Sequence, residues 1–343
     1  MCTIIASASD DKITVVTSDK GVKGDTGTDG IDGLGFNNVR FTLLDNPLMH
    51  IMKSSNVAVA GIGGVNWDRS TVATGFNKYS EFATAGVDIP REETNGWRIE
   101  GASENLFLES ATAATQDITV TSNTYTLSFF NTGTVTLSGA FSGSLVGTGA
   151  NDRVSLTFAA SAGTLTCAVS GTVEKAQVEL GSFATSYFPT LSTPLTRSAD
   201  RVTLPAAGNA PSFANDFSVY FNLYIDDSQT NTVLSVTSDL VFAISGTTIT
   251  ATFNGSTCTG TITLDAKNNI CLVKNGTNLT LYIDSTLAQQ QVGVSGITTD
   301  TASTIVAGGI VADATDNMFG WLNDVRLYEF ALNIDEITYL GGC

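Results

Sequence analysis

From residue 103 onward the chain alternates apolar and polar residues in short runs. Asn105-Leu-Phe-Leu, Ile118-Thr-Val-Thr, Tyr125-Thr-Leu-Ser-Phe-Phe, Thr134-Val-Thr-Leu, Val154-Ser-Leu-Thr-Phe, Thr164-Leu-Thr-Cys-Ala-Val and Val173-Glu-Lys-Ala-Gln-Val-Glu-Leu follow one another with Gly or Asn between them. Successive side chains of a strand point to opposite faces, so this period of two predicts an antiparallel sandwich over 103–190. Residues 191–212, with Pro194, Pro205 and Pro211, predict a linker or an extended crossing strand. A second set runs from Phe217-Ser-Val-Tyr-Phe through Leu240-Val-Phe-Ala-Ile, Ile270-Cys-Leu-Val-Lys and Leu279-Thr-Leu-Tyr-Ile to Asp324-Val-Arg-Leu-Tyr, and predicts another sandwich over 213–343. Asn275-Gly276 predicts a type I′ hairpin turn, whose two central residues both need positive φ. Only Ile334-Asp-Glu-Ile-Thr-Tyr-Leu predicts a helix. The expected fold class is mainly β, with two antiparallel sandwiches in tandem.

The first hundred residues read differently. Cys2-Thr-Ile-Ile-Ala and Ile13-Thr-Val-Val-Thr flank Asp10-Asp11, which predicts a short hairpin over 1–20. Gly21, Gly24, Gly27, Gly30 and Gly33 then recur at every third position. Only glycine fits at the axis of three polyproline-II chains, so a strict period over 21–35 predicts a collagen-like stalk of about 45 Å at about 3.1 Å per residue. Without proline at its X and Y positions such a stalk needs trimeric partners at its ends, which predicts a homotrimer. Residues 36–102 predict only an irregular connecting block.

Composition adds exclusions. The length of 343 residues suits about two domains with extra segments. Asp+Glu 33 against Lys+Arg 16 leaves a net charge of −17, which argues against nucleic acid and anionic membrane surfaces. No run is long and apolar enough to insert in a membrane, and the N-terminus lacks the basic region and apolar core of a secretory signal, so the expectation is a soluble chain assembled in the cytoplasm. The five Cys are scattered without CxxC, which predicts free or buried thiols; Cys258 and Cys271 could share a hairpin and bridge there. The lone His50 cannot build a metal site or a triad. No cofactor is expected. Asp226-Asp227 and Asp313 with Asp316 offer oxygens for calcium, a weak signal in an acidic chain.

Trp67-Asp-Arg-Ser-Thr-Val-Ala-Thr-Gly-Phe, Pro90-Arg and Gly96-Trp-Arg-Ile-Glu-Gly-Ala-Ser-Glu-Asn-Leu-Phe resemble a segment of bacteriophage fibre and spike proteins that precedes a jelly-roll module similar to carbohydrate-binding modules. Tyr125-Thr-Leu-Ser-Phe, Thr132-Gly-Thr-Val-Thr-Leu-Ser-Gly and Ala176-Gln-Val-Glu-Leu-Gly-Ser-Phe-Ala-Thr-Ser-Tyr-Phe-Pro-Thr resemble the module itself, and the trailing Thr196-Arg-Ser-Ala-Asp belongs to the same pattern. Gly320-Trp-Leu-Asn-Asp-Val-Arg-Leu-Tyr-Glu-Phe-Ala-Leu-Asn-Ile-Asp-Glu-Ile resembles the end of laminin-G and concanavalin A-like lectin sandwiches. The resemblance implies a virion surface protein, bound to other virion proteins through its N-terminus and turned toward a host-surface glycan. It equally admits a head fibre with a mainly structural role.

Sugar recognition needs aromatic faces and planar polar groups. Trp321 and Tyr328 on the terminal strand, Tyr187 after the first sandwich, and the Asp324–Arg326 pair are the candidate glycan contacts. Val325, Leu327 and Tyr328 cannot all face one side of a regular strand, so one is expected at a second surface. Hydrolysis is not expected. The Glu-x-Asp-x-x-Glu arrangement of the related glucanases is missing, and Glu174 and Glu179, five apart, are expected on opposite strand faces.

Overall fold

The computed structural model describes residues 49–53, 56–60, 65–297, 304–309 and 316–342, with side chains described from residue 65 on. The hairpin expected over 1–20, the Gly21–Gly33 repeat, Cys2, Asp313, Cys343 and the His50 side chain lie outside the described residues.

The larger sandwich packs a nine-stranded sheet on a seven-stranded one. In the first sheet Phe217–Tyr224 lies between Lys267–Asn275 and Gly320–Tyr328, all antiparallel. Its odd-numbered residues Phe217, Val219, Phe221 and Leu223 enter the core shared with Phe242, Ile249, Ala251 and Leu204 of the second sheet. The even-numbered Ser218, Tyr220 and Asn222 are buried as well, on the opposite face. There the C-terminal helix Ile334–Gly341, capped by Asn333 and Glu336, covers them, and the Tyr220 hydroxyl donates to the Leu340 carbonyl at 2.9 Å. The smaller sandwich sets the sheet of Thr124–Asn131, Gly149–Ala159 and Glu174–Leu180 against a four-stranded sheet around Phe107, Leu127, Phe129, Val135 and Leu165. Mainly β architecture with antiparallel sandwiches is therefore observed.

Several expectations need correction. Of the two readings for residues 191–212, the extended crossing strand holds and the linker does not. Arg201–Pro205 is an interior strand of the seven-stranded sheet, between Thr304–Ala307 and Asn66–Asp68, and Leu195–Arg197 pairs with Ser103–Asn105. Val202 and Leu204 are buried while Arg201 and Thr203 are not, the period of a strand, a reading that the flanking prolines left open beside the linker. The block 36–102 is not a separate connector either. Its strand Asn66–Asp68 belongs to one large sheet, and Gly96–Ile99 pairs with the terminal strand in the other. Trp67 and Trp97 meet inside the large core with ring centroids 6.2 Å apart.

The 270–283 hairpin forms, but its turn is shifted by one residue. Asn275 pairs with Asn278, leaving Gly276 (φ 58) and Thr277 as the central residues, and Thr277 has no positive φ. A glycine at the first central position is the type II′ arrangement rather than type I′. Cys258 and Cys271 do not share a hairpin. Cys258 pairs with Ala251 in the seven-stranded sheet, Cys271 lies in the nine-stranded one, and both are buried free thiols, as is Cys167.

Candidate functional site

Residues from widely separated stretches of the chain converge on one buried ionic network. Asp200 accepts from Arg69 Nη1 at 2.6 Å and from Arg91 Nη2 at 2.6 Å. It also accepts from Trp67 Nε1 at 3.3 Å and from the Glu100 amide at 3.1 Å. Glu100 accepts from Arg91 Nη1 at 2.9 Å and Arg98 Nη2 at 2.8 Å, with Arg197 at 3.5 Å. Burial alone pushes the Glu100 carboxyl up, yet Arg98, Arg197, Arg91 and hydrogen bonding by the Ser186 side chain together hold it well below the usual carboxylate range. The network gathers residues from both sandwiches. Arg91 Nη1 also donates to Ser186 Oγ at 2.6 Å, Thr74 Oγ1 donates to the Tyr187 carbonyl, and Asn105 Nδ2 donates to the Phe188 carbonyl. Such groups are expensive to bury and more expensive to leave half paired, so this knot fixes geometry rather than performing chemistry.

A cleft of about 260 Å³ opens beside the network. Its aromatic side comes from the hairpin Ala73–Phe76 and Phe82–Ala85, where Phe76 and Phe82 pair across the strands with centroids 5.5 Å apart. Each is 38% exposed, and each lies 6.2 Å from the buried Phe130 ring. Arg98, Arg153, Glu93 and Asp226 supply charge, and Ser155 and Ser186 hydroxyls. A Cβ at Gly75 would stand 2.1 Å from Glu93 Oε1, so any larger residue there would displace that carboxylate. Burial raises the Glu93 carboxyl above its usual range, against the pull of Arg98 and Arg91.

Two of the five candidate contacts meet this cleft. Tyr187 lines it, although the residue is 5% exposed and its hydroxyl lies 3.0 Å from Ser110 Oγ. Trp321 stands behind the charged wall, its Nε1 donating to Glu93 Oε2 at 2.9 Å and its ring under the Arg98 guanidinium at 4.0 Å. The other three lie elsewhere. Asp324 and Arg326 form a two-point ion pair at 2.7 and 3.0 Å. Tyr328 does reach the second face of its strand, as the alternation requires, but is fully buried there beside Phe330 and offers no ring face to solvent. Glu174 and Glu179 are not on opposite faces. Lys175 (φ 50) inserts a bulge, so Glu174 pairs with Phe130 and Glu179 with Thr126, residues that share one face.

Of the calcium candidates, Asp226 faces Arg98 at 3.4 Å and Asp316 accepts from Thr232; no cluster of three metal-ligating side chains occurs among the described residues. Sequence reading missed Phe76, Phe82, Phe130, Arg98 and Arg153. The one available signal was the pair of phenylalanines bracketing the turn-like Asn77-Lys-Tyr-Ser-Glu, which reads as a hairpin once both flanks are taken as strands.

Residues 196–338 match the family model of the concanavalin A-like lectin/glucanases superfamily, so the chain carries a domain of this type. The match begins at 196, in line with Arg201–Pro205 being a strand of that sandwich. In solved structures, the chain is similar to the botulinum neurotoxin serotype D binding domain at 16% identity and TM-score 0.35, covering 42% of this chain and 41% of that one. It is similar to the receptor binding domain of the botulinum neurotoxin C/D mosaic serotype at 15% identity and TM-score 0.35, covering 42% and 40%. For the Trypanosoma rangeli sialidase the values are 18% identity and TM-score 0.34, covering 41% of this chain and 26% of that one. The chain thus spans about two fifths of the toxin domains and about a quarter of the sialidase. No curated protein matches it in sequence.

Proposed function

We propose that this protein is a bacteriophage fibre or spike that displays its lectin-type sandwiches for recognition of a glycan on the host surface. The observation that carries the reading is the half-exposed Phe76–Phe82 pair set in a cleft rimmed by carboxylates, guanidiniums and hydroxyls. Apolar ring faces match the C–H face of a pyranose, and planar charged groups match its hydroxyls. The lectin/glucanase match over 196–338 supports a carbohydrate partner. The Gly21–Gly33 period and the fibre-like motifs support a trimeric stalk anchored to other virion proteins at its N-terminus. The role is adhesive rather than catalytic.

Competition for adsorption tests the reading. Full-length wild-type protein added in excess should block attachment of phage to host cells, and Phe82→Ala should block it poorly. Failure of the wild type to compete would leave a structural spacer. Particle labelling with an antibody to the C-terminal domain reports the location. Gly27→Ala should shift the sedimentation profile away from a trimer.

A further inference from the structure

Two cations stand out in a chain of net charge −17: Arg153 in the lining of the cleft, and Lys175 beside the Phe82 and Phe130 rings that form its aromatic side. Arg153, on Gly149–Ala159, donates from Nη1 to the Thr185 carbonyl at 2.5 Å and from Nη2 to Ser128 Oγ at 2.8 Å. Both partners are neutral, and its buried Nε has no hydrogen-bond partner. Glu179, the carboxylate whose field Arg153 feels most, is instead bonded by Ser103 Oγ, the Thr185 amide and hydroxyl, and Gln177 Nε2. Lys175, displaced by the bulge, holds its Nζ 5.1 Å from the Phe82 ring and 5.3 Å from the Phe130 ring. Among the described residues neither cation has a carboxylate within ion-pair distance. Every other arginine described as lining this cleft or knotting the network has one. A half-buried guanidinium without a counter-ion is stabilised by an anion that arrives to meet it.

We propose that the cleft takes a carboxylated saccharide, its carboxylate on Arg153 with Lys175 adding attraction, and its ring against Phe82 and Phe76. This rests on the glycan-binding reading and narrows it to the acidic class. Glu93 and Asp226 do not oppose this placement. Glu93 is bound by Trp321 and Asp226 faces Arg98, so their charge is partly met before a ligand enters.

Calorimetric titration of the full-length protein with cellobiouronic acid and with cellobiose, which differ by one carboxylate, tests it. The acidic disaccharide should bind at least about tenfold more tightly, and the difference should shrink as salt rises. Arg153→Gln should remove the preference while leaving circular dichroism unchanged. Lys175→Gln, on an accessible bulge, should reduce the preference if the arginine variant fails to fold. Titration with purified capsular polysaccharide and with lipopolysaccharide then shows which source carries the acid. Equal affinity for the two disaccharides, a preference that survives both substitutions, or no binding of cellobiouronic acid at millimolar concentration would overturn the inference. Neutral-sugar binding without acidic preference would overturn it while leaving the glycan-binding function standing.

Discussion

Arg91 and Asp200 are 109 positions apart in the chain and 2.6 Å apart in the fold, with both side chains buried. Asp200 is shared by Arg69, Arg91, Trp67 and the Glu100 amide. The pieces that read as scattered motifs are thus the contributors to one knot.

Removing a single charge from that knot should be severe. Asp200→Asn leaves two guanidiniums without their shared partner, and should cost about 3–5 kcal/mol in chemical denaturation. Asp239→Asn, exposed at a turn, should stay within about 0.5 kcal/mol of wild type. Equal effects at the two sites would refute the assignment of the network as structural.

Stability should pass through a maximum in mild acid. Glu93 has a folded-state value raised above the ordinary 4.5, so its contribution is complete below 4.5 and is lost as pH rises through the raised value. Glu100 has a depressed value, so its contribution is present above 4.5 and is lost as pH falls through the folded value. Melting temperature followed from pH 7 downward should therefore rise and then fall. Glu93→Gln should flatten the limb above 4.5 and spare the acid limb. A rise that persists unchanged in this variant would contradict the linkage.

The three described thiols should be silent in the native state. Burial pushes Cys167 to about 12 and raises Cys258 and Cys271 as well. The thiolate is the reactive form, so N-ethylmaleimide at pH 8 should leave all three unmodified until denaturant is added. Peptide mapping by mass spectrometry checks this, and rapid native labelling of Cys271 would show its strand to be open.

Two phenylalanines should separate stability from binding. Phe242 is fully buried opposite Phe221, at 5.0 Å between centroids, and Phe242→Ala should cost about 3–5 kcal/mol. Phe82 is 38% exposed, so Phe82→Ala should cost only about 1 kcal/mol yet compete poorly for adsorption. A Phe82→Ala protein that still competes fully would move the glycan site elsewhere.

Local pattern was enough for most of the described strands and for the C-terminal helix. Tyr125-Thr-Leu-Ser-Phe and Phe217-Ser-Val-Tyr-Phe are strands as the period of two requires, and Asn333 with Glu336 caps the helix. The register of the turn at Gly276 was ambiguous, because one glycine suits either of two hairpin turns that differ by a single residue. For Arg201–Pro205 the prolines left linker and crossing strand both open, although Val202 and Leu204 alternate with half-buried partners.

The sequence by itself determined the β class, the helix and the presence of the motifs, because these depend on neighbours a few residues away. Only the tertiary structure decided what the motifs do, since charges at 69, 91, 100, 197 and 200 acquire meaning when strand pairing brings them within hydrogen-bond reach. The same holds for the aromatic cleft. A bulge at Lys175 and a hairpin ending in Phe76 and Phe82 place their side chains together, and strand periodicity does not specify which distant faces will meet.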